Sequence, residues 1–187
     1  MPQDFPTPLP SRDFRAKLGR TVACFGFLEH TITQAILAFS ATKEISENEI
    51  ETEFEKFNNR LKHALHSPLY SLAELFERVV KENTEGDDEL QKINELVGAI
   101  KVAADMRNAI CHASWNELPD ESGSSVPFFA HKTLGYYDAS VNTDFFLKTQ
   151  AHVRDLIYDV MNSVTVRGWK FPGSVGPGEN VWPTKRN

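Results

Sequence analysis

Cysteine is scarce in this chain: Cys24 and Cys111 are the two in 187 residues. Two are too few for a disulfide framework, and both fall in apolar helical stretches, where buried thiols are expected. Long hydrophobic runs are missing as well, since no apolar run approaches the roughly 20 residues that span a bilayer. The opening MPQDFPTPLPSRDF holds four prolines and acids but no apolar segment, so it does not read as a signal peptide. These absences lead to the expectation of a cytoplasmic protein with no membrane partner. The sequence also has no glycine-rich phosphate loop, no zinc-type Cys/His spacing and no nucleophile-elbow serine. No cofactor and no metal are therefore expected.

Positive charge is short overall. The net charge of −6 argues against a protein that coats nucleic acid. The distribution is uneven, however. From Lys43 to Glu95 there are 14 acids against 7 bases, whereas Met1 to Ser40 holds 3 against 4 and Thr143 to Asn187 holds 4 against 6. An enzyme that touches a few phosphates can work with local basic groups. The apolar share of 41% and charged share of 25% are those of an ordinary globular protein, and the length fits one domain with a full core.

Apolar periodicity predicts a mainly α fold of about five helices with a small β-hairpin insertion before the last one. A proline-rich arm (residues 1–10) precedes a helical domain (11–166), and a Gly/Pro/aromatic tail (167–187) follows it. Ser11 caps a first helix running to about Ser40, with the stripe Phe14, Leu18, Val22, Phe25, Leu28, Ile32, Ile36 and Phe39. Ser46 and Glu49 form a capping box for a second helix with the stripe Ile50, Phe54, Phe57, Leu61 and Leu65. Ser67-Pro68 opens a third, Asp87 or Asp88 a fourth, and Thr143 or Asp144 a last one to about Val166. Val126 to Val141 is the β-like region, and LPDESGSS before it is a loop. Trp169, Phe171 and Trp182 give the tail aromatic groups for packing on the body or on a partner.

The most informative stretch is Arg107-Asn108-Ala109-Ile110-Cys111-His112, at the end of the fourth helix. Asn108 and His112 are four apart and share one helix face. Arg107 lies about 100° round, with a side chain long enough to reach the same spot. A guanidinium binds phosphate, and histidine is the side chain whose ordinary titration falls near neutral pH. Arg107 also follows Ile100 by seven and precedes Ile110 by three, which sets it on or beside the buried stripe. Glu29 shares this oddity, four after Phe25 and three before Ile32. A contact between Glu29 and Arg107, direct or through His30, would compensate both charges. The structural alternative makes Arg107 an ion-pair partner, Asn108 a surface residue and His112 a helix-end histidine. With 9 Arg, 11 Asn and 6 His, chance predicts roughly 0.02 matches to Arg-Asn-x-x-x-His.

Other groups read more plainly. His63 and His66 lie on a solvated face without a ligand cluster, His131 and His152 are isolated, and the acids from Glu44 to Glu55 form a solvated segment that could face a basic partner. Trp115 reads as a packing plug at the helix end rather than a base-stacking platform.

The stretch RNAICHASW, closing a core helix of an all-helical domain, resembles the HEPN (higher eukaryotes and prokaryotes nucleotide-binding) family. That family's signature is Arg, a polar residue that is often Asn, then three or more residues and His. The resemblance covers about Ser11 to Val166, although only the motif is specific. It implies a metal-independent endoribonuclease in which Arg107, Asn108 and His112 are catalytic and Glu29 supports them. It also implies an RNA substrate, a homodimer that joins two motifs in one composite active site, and a role as a toxin or antiviral-defence effector held by an antitoxin or regulatory partner. A HEPN-like dimeric module without catalysis, used for binding or regulation, is the alternative.

Overall fold

The computed structural model describes residues 10–42, 45–117, 123–131, 135–136 and 139–171. Most of the proline-rich arm, much of the 118–125 loop and the tail beyond Phe171 lie outside these residues.

Among the described residues there are five α-helices: α1 (Arg12–Ala41), α2 (Ile50–His66), α3 (Leu69–Lys81), α4 (Asp87–His112) and α5 (Thr143–Thr165). A single turn of 3-10 helix (Glu47–Glu49) precedes α2. Four short strands lie between α4 and α5: β1 (Ser114–Glu117), β2 (Ser125–Phe128), β3 (Ala130–His131) and β4 (Gly135–Tyr136). The fold is therefore mainly α with a small hairpin insertion before the last helix. β1 pairs antiparallel with β2, Ser114 opposite Phe128 and Glu117 opposite Ser125, and β3 pairs antiparallel with β4. Ser125 and Val141 exchange both backbone hydrogen bonds, at 2.8 and 2.7 Å, which ties the insertion to the start of α5.

Local chemistry explains the helix ends. Ser11 Oγ accepts the Phe14 amide at 3.2 Å, capping α1. Asn142 Oδ1 does the same for Phe145 at 3.1 Å and, rather than Thr143 or Asp144, caps α5. Ser46 and Glu49 do meet, but hydroxyl to carboxylate at 2.5 Å, and no side chain caps the helix, so α2 begins later at Ile50. Ser67 Oγ donates back to the His63 carbonyl at 2.7 Å and closes α2, leaving Pro68 as the residue before α3. Gly86 (φ +111°) turns the chain into α4 and Gly168 (φ +76°) ends the turn after α5, a backbone region that L side chains rarely adopt.

The chain divides into two compact units, and α1, α4 and α5 each contribute to both. The first unit holds Met1–Gly26 and Asp105–Val153, and the second Phe27–Ala104 and Arg154–Asn187. In the first unit, Phe14, Trp115 and Phe146 form an edge-to-face cluster with centroids 5.0 to 5.7 Å apart. In the second, Phe39 packs on Phe76 and on Trp169, so the described start of the tail does pack on the helices. There Arg167 lies over the rings of Phe39 and Trp169, and its guanidinium donates to Asn83 O at 2.9 Å, Thr84 Oγ1 at 2.7 Å and Glu89 Oε1 at 2.5 Å.

Three expectations change. Val22, placed on the buried stripe of α1, is exposed. The stripe of α2 is largely uncovered: Ala64 is the one buried residue of that helix, whereas α3 buries seven. Cys24 and Cys111 are thiols but half-buried, and burial pushes the Cys24 thiol up from its ordinary value. α1 is long and apolar enough, with a mean hydropathy of 1.4 over its best window, to cross a membrane by composition alone, but half of that window is buried in the protein.

Candidate functional site

The last two turns of α4 carry the motif, and the first unit holds it from several sides. Ala109 and Ile110 are buried and anchor the turn. The Ala113 amide closes it on the Ala109 carbonyl at 3.0 Å. Trp115 Nε1 donates to the Ile110 carbonyl at 3.2 Å, while its ring joins Phe14 of α1 and Phe146 of α5. Trp115 is thus a half-buried packing plug whose polar handle is used on the helix end. From α5, Thr149 Oγ1 lies 3.5 Å from Met106 Sδ, one residue before the motif. Gln150 Nε2 donates to Thr21 Oγ1 at 3.0 Å and to the Lys17 carbonyl at 3.3 Å, joining α5 to α1.

On this frame Arg107 and Asn108 are half-buried and His112, the last residue of α4, is exposed. Arg107 Nη1 donates to Asn108 Oδ1 at 3.4 Å, which sets the guanidinium beside the carboxamide. Asn108 stands one turn before His112 on the same face. A guanidinium beside a carboxamide and an accessible imidazole therefore lie on the last two turns of one helix. Such a set can grip a phosphate and move a proton beside it.

The charge around the motif differs from that of the chain. The first unit has seven Lys/Arg against eight Asp/Glu, the second thirteen against eighteen. Within the first unit, Arg12, Arg15 and Arg20 are exposed along the N-terminal half of α1, where Asp13 is the one acid. Asp13 is taken up by Lys17 at 2.5 Å.

Glu29 belongs to the second unit. It is half-buried and lines a hollow of about 360 Å³ with His30, Gln34, Leu61, Leu65 and Leu72. His63 and His66 are exposed, and His63 Nδ1 lies 3.1 Å from Ser67 Oγ. Among the described residues no three His, Cys, Asp or Glu side chains are grouped so as to hold a metal ion. A larger hollow of about 430 Å³ in the second unit is lined by Glu89, Lys92, Ile93, Leu96, Leu156 and Asp159. Asp159 is exposed at the rim of this hollow, where partial desolvation, then the charge of Asp155, raises its carboxyl above the usual range. Arg167, which fastens the second unit, had no sequence signal beyond its place at the head of a tail. Known protein families, curated proteins and solved structures contain no match to this chain.

Proposed function

We propose that this protein is a metal-independent endoribonuclease of HEPN type. The observation that carries the reading is the Arg107–Asn108 hydrogen bond beside an exposed His112 one turn on, at a helix end fastened by Trp115. RNA supplies its own nucleophile in the 2′-hydroxyl. His112 takes the proton from that hydroxyl as its oxygen attacks the adjacent phosphorus, or returns a proton to the departing 5′-oxygen. The bond from phosphorus to the 5′-oxygen breaks, leaving a 2′,3′-cyclic phosphate and a 5′-hydroxyl. Arg107 holds the non-bridging oxygens as negative charge builds on them, and Asn108 keeps the guanidinium in place. Since one imidazole cannot do both proton transfers at once, a homodimer that brings two motifs into one cleft completes the site. The exposed arginines of α1 give the RNA backbone a basic track within the first unit. A toxin or antiviral effector in the cytoplasm, restrained by an antitoxin or regulatory partner, is the setting such an activity fits, with Glu29 in a supporting role.

The net charge of −6 favours a second reading, a dimeric binding or regulatory module that keeps the motif without catalysis. Matched RNA and DNA oligonucleotides separate the two. The nuclease cuts the RNA alone and leaves cyclic-phosphate ends; equal cutting of DNA, or 5′-phosphate products, contradicts the 2′-hydroxyl mechanism. Binding of the RNA without any cutting favours the module.

A further inference from the structure

We propose that the uncovered face of α2 is a self-association surface, on which α2 of a second copy of this chain lies antiparallel. The inference does not rest on the ribonuclease reading and concerns a surface of the second unit, whereas the motif belongs to the first.

The face is apolar and long. Ile50, Phe54, Phe57, Leu61 and Leu65 recur at steps of three and four along the 17 residues of α2. Phe54 is 62% exposed, Leu65 61% and Ile50 55%, while Phe57 and Leu61 are half-buried. Scattered surface hydrophobes are ordinary, but a continuous stripe of this kind on an otherwise polar helix marks a surface that another element covers. The adjoining α3 shows what a covered helix looks like in the same unit, with seven of its 13 residues buried.

The charges beside the stripe identify the occupant. One position on from each apolar residue runs a second strip, Glu51, Glu55, Asn58 and Lys62, and Glu51, Glu55 and Lys62 are exposed. His66, also exposed, follows Lys62 by one turn. The strip is acidic at its N-terminal end, neutral at its middle and basic at its C-terminal end. When two antiparallel helices pack, the same flank of each faces its counterpart in reverse order. Two copies of α2 then place Glu55 beside the partner's Lys62 and Glu51 beside the partner's His66, and the reverse pairs form by symmetry. In the same register Ile50 meets the partner's Leu65 and Phe54 meets the partner's Leu61. Parallel pairing would set acid against acid and base against base. The pattern is therefore self-complementary in one orientation, and α2 supplies both halves of its own interface.

Sedimentation equilibrium of the full chain tests this, with a circular-dichroism melt of each variant to confirm folding. The wild type associates reversibly and less tightly in high salt. Phe54→Asp lowers the association state by one step, from dimer to monomer, or from tetramer to dimer where the motif cleft also pairs, with the affinity weakened about a hundredfold or more. Glu55→Lys and Lys62→Glu each weaken it by about tenfold, and the double variant Glu55→Lys/Lys62→Glu restores it to near wild type. A chain that stays monomeric at hundreds of micromolar overturns the inference. So does an association that ignores Phe54→Asp, or charge reversals that fail to rescue one another. RNA cleavage, measured separately in Phe54→Asp, reports on the ribonuclease reading alone.

Discussion

The two units of this chain differ in their balance of charge. The unit that holds Arg107, Asn108 and His112 is close to neutral, with exposed arginines along its part of α1. The other unit is acidic and spends many of its charges on structure. Arg60 pairs with Glu82 at 2.6 Å, Lys81 with Glu77 at 2.6 Å, and Arg167 sits among Asn83, Thr84 and Glu89. A net charge of −6 therefore describes the second unit more than the motif's surroundings. Whole-chain charge is a statement about solubility and long-range steering, and a site that grips one phosphate depends on the few groups within a Debye length of it.

The sharpest way to break the contrast is through the motif. His112→Ala and Arg107→Ala are each expected to lower RNA cleavage by about 10²–10⁴-fold. His112 is exposed, so its variant should keep the melting temperature within a degree or two, whereas Arg107 is half-buried and its variant is read with a thermal melt beside single-turnover cleavage. Changes in the second unit's ion pairs, such as Lys101→Met, which removes the ammonium 3.3 Å from Glu77, should leave cleavage unaltered. A comparable loss there would erase the functional division between the units.

Next in size are the packing anchors. Trp115→Ala removes a ring from the Phe14–Phe146 cluster and the partner of the Ile110 carbonyl, and should cost about 3–5 kcal/mol in urea unfolding. Arg167→Ala strips the second unit of three hydrogen bonds and two ring contacts around a side chain 15% exposed. A cost of about 2–3 kcal/mol is expected, with Arg167→Lys recovering only part because a point charge cannot reproduce the planar fork.

Two acids of the second unit should respond to pH with opposite signs. Hydrogen bonds and attraction from Lys81, then Lys101, hold Glu77 below the ordinary carboxylate range. Its contribution is present above the unfolded-state value near 4.5 and fades as pH falls through the lower folded value. Glu77→Gln should thus cost about 0.5–1 kcal/mol at neutral pH and little in strong acid. Asp159 is raised by partial desolvation and by Asp155, so its charged form weakly opposes folding at neutral pH, solvent screening keeps that effect small, and the penalty disappears as the group protonates. Asp159→Asn should slightly stabilise the protein at pH 7 and do nothing at pH 3, as read by thermal melts across the range.

Much of the fold was legible because its signals are local. Ser11 caps α1 where a serine before an apolar stripe should, and the buried Phe14, Phe25, Leu28, Ile32, Ile36 and Phe39 follow the helical period. What local signals could not say is whether a face is covered. α2 and α3 carry comparable stripes, but only α3 buries its own. β1 carries too weak a local signal, because four residues directly after a helix are too short to show alternation and its partner β2 begins eight positions after β1 ends. Arg167 is as weakly signalled, because its partners come from residues 78 to 84 positions away in sequence. For the site, spacing brought Asn108 and His112 to one face and Arg107 alongside. The arginines of α1 that share the motif's unit are a matter of packing, which no motif encodes.

The most direct measurement incubates the purified chain with a mixed RNA pool in EDTA, beside His112→Ala and Arg107→Ala. Cleavage by the wild type alone, with cyclic-phosphate ends, is the predicted result. Cleavage that persists in His112→Ala, or that EDTA abolishes, would contradict the assignment of this helix end as a metal-independent nuclease site.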